Sequence, residues 1–185
     1  MNPGDAEQLA AHLCRHLNRQ GSILIFGDSA LDVALVLEES GFRALYLSAQ
    51  KSEAQMKNIG ASRVRWVKAA LLNIPFHHFL QAIVLLNPLA LIDPLHWHAL
   101  PEIFGRALME GGTVFIAEKK KPAIHGEFRQ VDRLMREAGF VRLYSDHPGF
   151  FYSDLENYAA AWWGWALPTS FEEKGQTESL PLDLE

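Results

Sequence analysis

The stretch that decides the fold is SILIFGD at residues 22–28, an apolar run that ends in a glycine and an acid. A helix-like stretch, SALDVALVLEESG at residues 29–41, follows at once. This order predicts a strand, a tight turn and a helix N-terminus, which places backbone N–H groups beside an anionic or nucleotide ligand. The turn carries only Gly27, whereas a loop that lets its backbone approach a cofactor usually has two or three glycines. The sequence therefore predicts a nucleotide-binding architecture whose binding chemistry is partly removed.

Strand-like and helix-like segments alternate along the rest of the chain. The strand-like ones are residues 43–48, 63–68, 82–87 and 113–118, and the helix-like ones are residues 5–20, 51–59, 97–109 and 127–138. The strands are apolar nearly throughout, as parallel strands covered on both faces are. Such βαβ repetition predicts a doubly wound α/β sheet with right-handed crossovers. No linker or repeat divides the chain, so we predict one domain over residues 1–167.

Composition limits the classes of function. The 185 residues are 49% hydrophobic, enough for a single core, and the net charge of -5 gives no general attraction for nucleic acid or acidic lipid. The basic run at residues 119–121 is predicted to be a solvated loop rather than a phosphate site. A lone Cys14, with no signal peptide and no membrane-length apolar stretch, favours a soluble cytoplasmic protein. We expect neither nucleic acid nor a membrane as a partner.

The composition changes near the C-terminus. Residues 158–167, YAAAWWGWAL, hold three of the five tryptophans, and residues 168–185 are polar and rich in proline, glutamate and serine. We expect the last stretch to be a disordered tail. The aromatic segment has two interpretations. A buried final strand is favoured because large apolar side chains usually lie in cores; the alternative is a surface that a partner protein covers through Trp162, Trp163 and Trp165.

Three segments occur in an informative order in the second half of the chain. They are NIPF at residues 73–76, IFGRALMEGGTVFIAEKKKP at residues 103–122 and FRQVDRLMREAGFVRLY at residues 128–144. In this order they resemble the Leu-Pro-Phe segment, the Gly-Gly turn with its fifth strand, and the Ala-Gly-Phe junction of the class I S-adenosylmethionine-dependent methyltransferases. The resemblance spans residues 20–145. It implies a Rossmann-like, seven-stranded, mostly parallel sheet with the last strand antiparallel and helices on both faces.

The resemblance also implies where a cofactor would bind. In that family a glycine-rich turn wraps the methionine part, an acid after the second strand accepts the ribose hydroxyls, and an acid after the third strand holds the adenine amino group. The matching positions here are Gly27, Asp28 and Ser29 in the turn, Ser48 after the second strand, Ala69 or Ala70 after the third, and Asn87 after the fourth. A serine makes one such bond rather than a bidentate pair, and an alanine side chain makes none.

These replacements set the expectation for cofactor use. Losing two charge-assisted bonds weakens binding by about two to four decades. We therefore expect no cofactor, or S-adenosylmethionine if the protein is an active enzyme. Asp28 has two roles open to it, binding the cationic amino group of that cofactor or capping the following helix, and the cap is favoured.

Histidine is the other residue type that carries chemistry. His12 and His16 are four apart on a predicted helix, but two ligands do not complete a zinc site, so a solvated helix face is favoured over a metal. Residues 77–78, His96 and His98 are predicted to lie near the carboxyl ends of the third and fourth strands, where an imidazole serves as a general base. A loop histidine without a catalytic role is favoured there. We assign no catalytic and no metal residue.

Three functions remain open. The favoured one is a methyltransferase-like pseudoenzyme that acts as a scaffold for an unidentified protein partner. The second is an active S-adenosylmethionine-dependent methyltransferase of a small molecule with an atypical cofactor site. The third is a binding module that holds another small ligand in the emptied crevice. An intact framework beside altered pocket residues favours the first, because fold alone does not confer activity.

Overall fold

Alternating strands and helices make up the part of the chain that the structure describes. The computed structural model describes residues 3–27, 29–48, 63–67, 69–121, 124–143, 155 and 157–165. Its strands are β1 (Ser22–Gly27), β2 (Ala44–Ser48), β3 (Arg65–Val67), β4 (Leu80–Leu86), β5 (Leu108–Lys119), β6 (Phe140–Arg142) and β7 (Tyr158–Trp165). Its helices are α1 (Pro3–His16), α2 (Ala30–Glu39), α3 (Leu100–Ala107) and α4 (Ile124–Glu137), with short 3-10 helices at Pro88–Ala90 and Pro94–Ala99.

The strands form one seven-stranded sheet in the order β3-β2-β1-β4-β5-β7-β6. β1 pairs in parallel with β2 on one side and with β4 on the other. β7 runs antiparallel between β5 and β6, with Phe115 opposite Trp162. The predicted seven-stranded, mostly parallel sheet is confirmed. From β1 the chain first adds β2 and β3 on one side of the sheet and then adds β4 and the later strands on the other side. Doubly wound sheets bind ligands at the carboxyl ends of the two strands where this reversal of strand order occurs, here β1 and β4.

Each face of the sheet carries its own apolar core, because successive side chains on a strand point to opposite faces. On β5, Val114 and Ile116 pack with side chains of α3 and α4, whereas Phe115 and Ala117 pack with those of α1 and α2. β4 is buried along its length apart from a partly exposed Gln81. Coverage on both faces is the reason why the central strands are apolar nearly throughout.

Several predicted boundaries shift in the structure. The first helix begins at Pro3 and ends at His16, so it is shorter at its C-terminus than the predicted range 5–20. The predicted helix 97–109 divides into the 3-10 helix Pro94–Ala99 and α3, because Leu108 already has extended backbone angles and begins β5. The predicted helix 51–59 and the predicted tail 168–185 lie outside the described residues.

The tryptophan-rich segment is strand β7. Trp162 is 3% exposed and Trp163 is 0% exposed, so neither has a surface for a partner protein, which corrects the interaction hypothesis at these two positions. Trp165 is partly buried, with its ring centroid 4.6 Å from that of Phe140. A Cβ at Gly105 of α3 would lie only 3.0 Å from the Trp165 ring, so the absence of a side chain there lets the indole pack on the helix. Residues 158–165 of the segment therefore lie in the core, and the favoured interpretation as a buried strand is confirmed for them.

Asp132 on α4 joins that helix to two strands. It is 2% exposed, and its Oδ1 accepts a hydrogen bond from Trp163 Nε1 on β7 at 3.1 Å. Its Oδ2 lies 3.1 Å from Arg136 Nε and 3.6 Å from Arg142 Nη1 on β6. The buried indole and the buried carboxylate thus satisfy each other, as buried polar groups must to avoid a large desolvation cost.

We expect the Asp132→Ala substitution to lower the free energy of unfolding by about 3 kcal/mol, because it leaves a buried indole N–H without an acceptor and removes a buried ion-pair partner. Urea denaturation followed by circular dichroism measures this. Glu137→Ala is the matched control on the same helix. Glu137 pairs with Arg133 at 3.9 Å and both side chains are 66% exposed, so its loss should cost less than about 0.5 kcal/mol. Equal costs for the two variants would contradict the role given to Asp132.

Candidate functional site

The candidate site is the crevice at the carboxyl ends of β1 and β4. Gly27 ends β1 opposite Leu86 of β4, and Ser29 leads into α2. Gly27 has a φ of 106° and Ser29 a φ of 62°, so the chain turns through left-handed backbone conformations here. The Ser29 side chain makes no capping hydrogen bond to α2. Asp28 lies outside the described residues, so its predicted role as a cap stays a prediction.

The neighbouring strand by itself accounts for the glycine at position 27. A Cβ built there would lie 1.8 Å from the carbonyl oxygen of Leu86, far inside van der Waals contact. The left-handed φ adds a further penalty for any residue with a side chain. Gly27 is therefore required by the packing of β1 against β4, whether or not a cofactor binds.

Ser48 and Ala69 occupy the positions predicted for contacts to ribose and adenine, and they bond to each other. The Ser48 hydroxyl, at the carboxyl end of β2, donates to the carbonyl oxygen of Ala69 at 2.5 Å. Ala69 is 4% exposed, whereas Ala70 is exposed and starts a tight turn in which Asn73 N donates to Ala70 O. The one proton of the Ser48 hydroxyl is thus used within the protein, and only its lone pairs remain to accept a bond.

Asn87 is buried where the chain leaves β4. Its Oδ1 accepts a hydrogen bond from Lys119 N at 2.9 Å, and its own N–H donates to Ala117 O at 2.8 Å. Its Nδ2 is buried and makes no hydrogen bond to the part of the chain that the structure describes. An unmade hydrogen bond of this kind costs about 1–3 kcal/mol. Asn87 therefore stands at the crevice with a donor that the described residues do not use.

Glu118 is a site residue that the sequence analysis missed. It is 2% exposed near the end of β5, and one of its carboxylate oxygens accepts a hydrogen bond from Leu89 N. Together with the Asn87 bond, this contact fixes the loop after β4 to the end of β5. The acid at the end of the apolar run TVFIAE could have identified Glu118 in the sequence. A carboxylate that lies in a core needs a hydrogen-bond donor from within the protein.

The loop histidines do not gather at the crevice. His78 N donates to Arg106 O at 2.9 Å, and its Nδ1 lies 3.2 Å from Leu108 O at the start of β5. The loop containing residues 77–78 therefore lies at the amino edge of the sheet, and its predicted position near the carboxyl ends was wrong, because β4 begins only at Leu80. His96 and His98 are exposed on the 3-10 helix Pro94–Ala99.

The histidine pair on α1 divides into a buried and an exposed member. His12 is 4% exposed and its Nε2 accepts a hydrogen bond from Trp162 Nε1 at 3.0 Å. The prediction of a solvated helix face was wrong for His12 and holds for His16, which is exposed. Within the described ranges no group of three or more metal-ligating side chains comes together.

The polar surface near the crevice includes the basic run at residues 119–121. All three lysines are exposed, and Lys121 Nζ forms an ion pair with Glu127 at 2.8 Å. Lys119 still belongs to β5, so the run begins at the end of a strand rather than wholly in a loop. Among the helices that the structure describes, none combines the length and the apolar character needed to cross a bilayer.

Comparison with solved structures identifies the architecture. A glycopeptide N-methyltransferase in complex with S-adenosylhomocysteine is similar over 88% of this chain and 90% of its own, with a TM-score of 0.68 and 10% identity. The chain has the class I methyltransferase fold. Magnesium protoporphyrin IX methyltransferase from Synechocystis, with bound S-adenosylhomocysteine, is similar over 89% of this chain and 83% of its own, with a TM-score of 0.62 and 12% identity.

Other methyltransferases give the same result. The 1,6-didemethyltoxoflavin-N1-methyltransferase from Burkholderia thailandensis is similar over 90% of this chain and 80% of its own, with a TM-score of 0.62 and 16% identity. No family model and no curated protein matches the sequence. Sequence identities this low establish the class I methyltransferase fold but not the activity, which depends on the residues of the crevice.

We expect Gly27→Ala to lower the free energy of unfolding by about 3 kcal/mol or more, because the new methyl group meets the Leu86 carbonyl and the backbone is left-handed. Urea denaturation without any ligand measures this. Gly111→Ala is the matched control, since Gly111 has a φ of 71° but no atom within 4 Å of the place that a methyl group would take. It should cost about 1 kcal/mol. A Gly27→Ala variant as stable as the control would show that packing does not demand this glycine.

Proposed function

We propose that this chain is a methyltransferase-fold protein that does not use S-adenosylmethionine as a substrate and serves as a protein-binding scaffold. The observation that carries the proposal is the hydrogen bond from the Ser48 hydroxyl to Ala69 O. It joins the two positions at which the fold would otherwise hold the ribose and the adenine of the cofactor.

The loss of binding energy supports the proposal. A carboxylate at position 48 would accept both ribose hydroxyls, whereas the Ser48 hydroxyl has lone pairs for one such contact and no proton to spare. The buried Ala69 and the exposed Ala70 have no side-chain acceptor for an adenine amino group. Each missing charge-assisted bond is worth about 1.5–3 kcal/mol, so a cofactor that normally binds at micromolar concentration would need about 100 μM to 10 mM.

The apolar surface available to a partner protein does not include the buried tryptophans. Among the described residues, the most exposed large apolar side chain is that of Leu95 at 76%, on the loop between β4 and α3. Leu91 on the same loop is 52% exposed, and Val141 on β6 is 53% exposed. Trp165, the third tryptophan of the interaction hypothesis, is partly buried. A scaffold would therefore offer the loop after β4 to its partner rather than the face of β7.

Active S-adenosylmethionine-dependent methylation is the second candidate. It is favoured by the fold, which is shared with structures that hold S-adenosylhomocysteine. It is also favoured by the left-handed backbone at Gly27 and Ser29, because the tight turn from β1 into α2 is present. A third candidate is a different small ligand that offers an oxygen acceptor to Asn87 Nδ2, a buried donor that the described residues leave without a partner.

Isothermal titration calorimetry with S-adenosylhomocysteine tests the proposal. We expect the wild-type chain to bind this ligand no more tightly than about 100 μM, by the energetic argument above. The double variant Ser48→Asp, Ala70→Asp places a carboxylate at the ribose and adenine positions and should bind at least about tenfold more tightly than the wild type. Asn73→Asp, which adds a carboxylate to the same exposed turn, is the control for added charge.

The result that would overturn the proposal is stoichiometric, micromolar binding by the wild-type chain. That outcome would favour the second candidate, and methyl transfer would then be measured with labelled S-adenosylmethionine. An unchanged double variant whose circular dichroism spectrum is native would show that the two positions do not face the cofactor site.

A further inference from the structure

A buried hydrogen bond ties the first helix of the chain to its last described strand. Trp162 Nε1 on β7 donates to His12 Nε2 on α1 at 3.0 Å. Both side chains are nearly inaccessible, at 3% and 4% exposure. The ring of Phe115 on β5 lies against the same imidazole, with centroids 5.5 Å apart and planes tilted by 30°. His12 is thus enclosed by aromatic rings from two strands.

The chemistry of the donor defines the protonation state of the histidine. An indole nitrogen donates and cannot accept, so His12 Nε2 must present a lone pair to it. The neutral imidazole with its proton on Nδ1 meets this requirement. An imidazolium carries a proton on both nitrogens and would turn the contact into two opposed donors in a buried place. Docked α1 therefore selects the neutral form of His12.

The described elements that pack against His12 carry several titratable side chains. On α1, His16 lies one turn away with its ring centroid 5.0 Å from that of His12 and 5.6 Å from that of Trp162. On β7, the nearest titratable side chain on the same face is the buried Tyr158. β5 presents Phe115. On α2, Val33, Ala34 and Leu37 point inward, whereas Asp32 and Glu39 are exposed. Glu38 on the same helix is half-buried and accepts a hydrogen bond from Arg63 N.

The position of α1 lets it move without breaking the sheet. It lies outside the seven-stranded ladder and is held by side chains, including Leu9 and Leu13, which are 0% exposed. At its N-terminus Asp5 accepts a hydrogen bond from Asn157 at 2.9 Å. If α1 lifts, the apolar faces of Trp162 and Phe115 become accessible while all strand pairs remain.

We propose that His12 is a pH-sensitive latch that keeps α1 closed over Trp162 at neutral pH and favours opening of α1 on mild acidification. Because the closed form excludes the imidazolium, each unit of pH below the ordinary titration range of histidine, about 6.5, raises the open population up to tenfold. Stability of the closed form is present above that range and is lost as the pH falls through it.

Hydrogen–deuterium exchange of α1 at pH 7.5 and pH 5.5, corrected for the intrinsic rate of amide exchange, tests this. In the wild-type chain we expect the open population of residues 3–16 to rise about tenfold, with α2 unchanged as the internal reference. His12→Gln keeps an acceptor for Trp162 Nε1 and does not titrate, so its α1 should exchange equally at both pH values. His16→Gln, one turn away, should keep most of the pH dependence.

Two further measurements keep the outcome decisive if His12→Gln does not fold. His12→Leu removes the titrating group and the acceptor, so its α1 should exchange faster at both pH values and without pH dependence. In the wild-type chain at pH 7.5, nitrogen chemical shifts should show His12 Nε2 unprotonated. The proposal is overturned by a proton on Nε2, by a wild-type α1 insensitive to pH, by a pH response that survives in His12→Leu, or by one that disappears in His16→Gln.

Discussion

The close approach of β1 and β4 is the constraint on which the rest of the structure depends. The carbonyl oxygen of Leu86 fills the space that any side chain at position 27 would occupy, so the chain must leave β1 through a glycine with a left-handed backbone. That turn directs α2 onto one face of the sheet, and the reversal of strand order between β1 and β4 opens the crevice at their carboxyl ends. A glycine that resembles a cofactor motif is therefore explained by strand packing.

Strand β7 connects the two layers of helices through consecutive residues. Trp162 and Trp163 point to opposite faces because side chains alternate along a strand. The indole of Trp162 donates to His12 on α1, and that of Trp163 donates to Asp132 on α4. Each tryptophan combines a large apolar contact with a satisfied polar atom, which is how this residue type is usually accommodated inside proteins. The concentration of tryptophan thus serves the interior of the fold, where it joins both helix layers to one strand.

Most of the polar groups described at the crevice form hydrogen bonds within the protein, and Asn87 Nδ2 is the exception among them. Ser48 bonds to the chain after β3, and Glu118 and Asn87 hold the loop after β4 to β5. These bonds stabilise the edge of the sheet in the absence of any ligand. Similarity to methyltransferases at 10–16% identity shows the fold and leaves the chemistry of the crevice to its own residues.

The order and type of most elements follow from the sequence by itself, because apolar runs and helical periodicity are local signals that burial on both faces of a sheet enforces. The class of fold could also be predicted from the sequence. Tertiary structure alone decided the burial of His12 and the hydrogen-bond partners of Trp162 and Trp163, since the partners of the His12 bond are 150 residues apart in the chain. It also decided that position 27 requires a glycine, because the carbonyl oxygen of Leu86 fills the space of a side chain there. Such contacts join residues distant in sequence, and no local pattern encodes which face of a helix the last strand will meet.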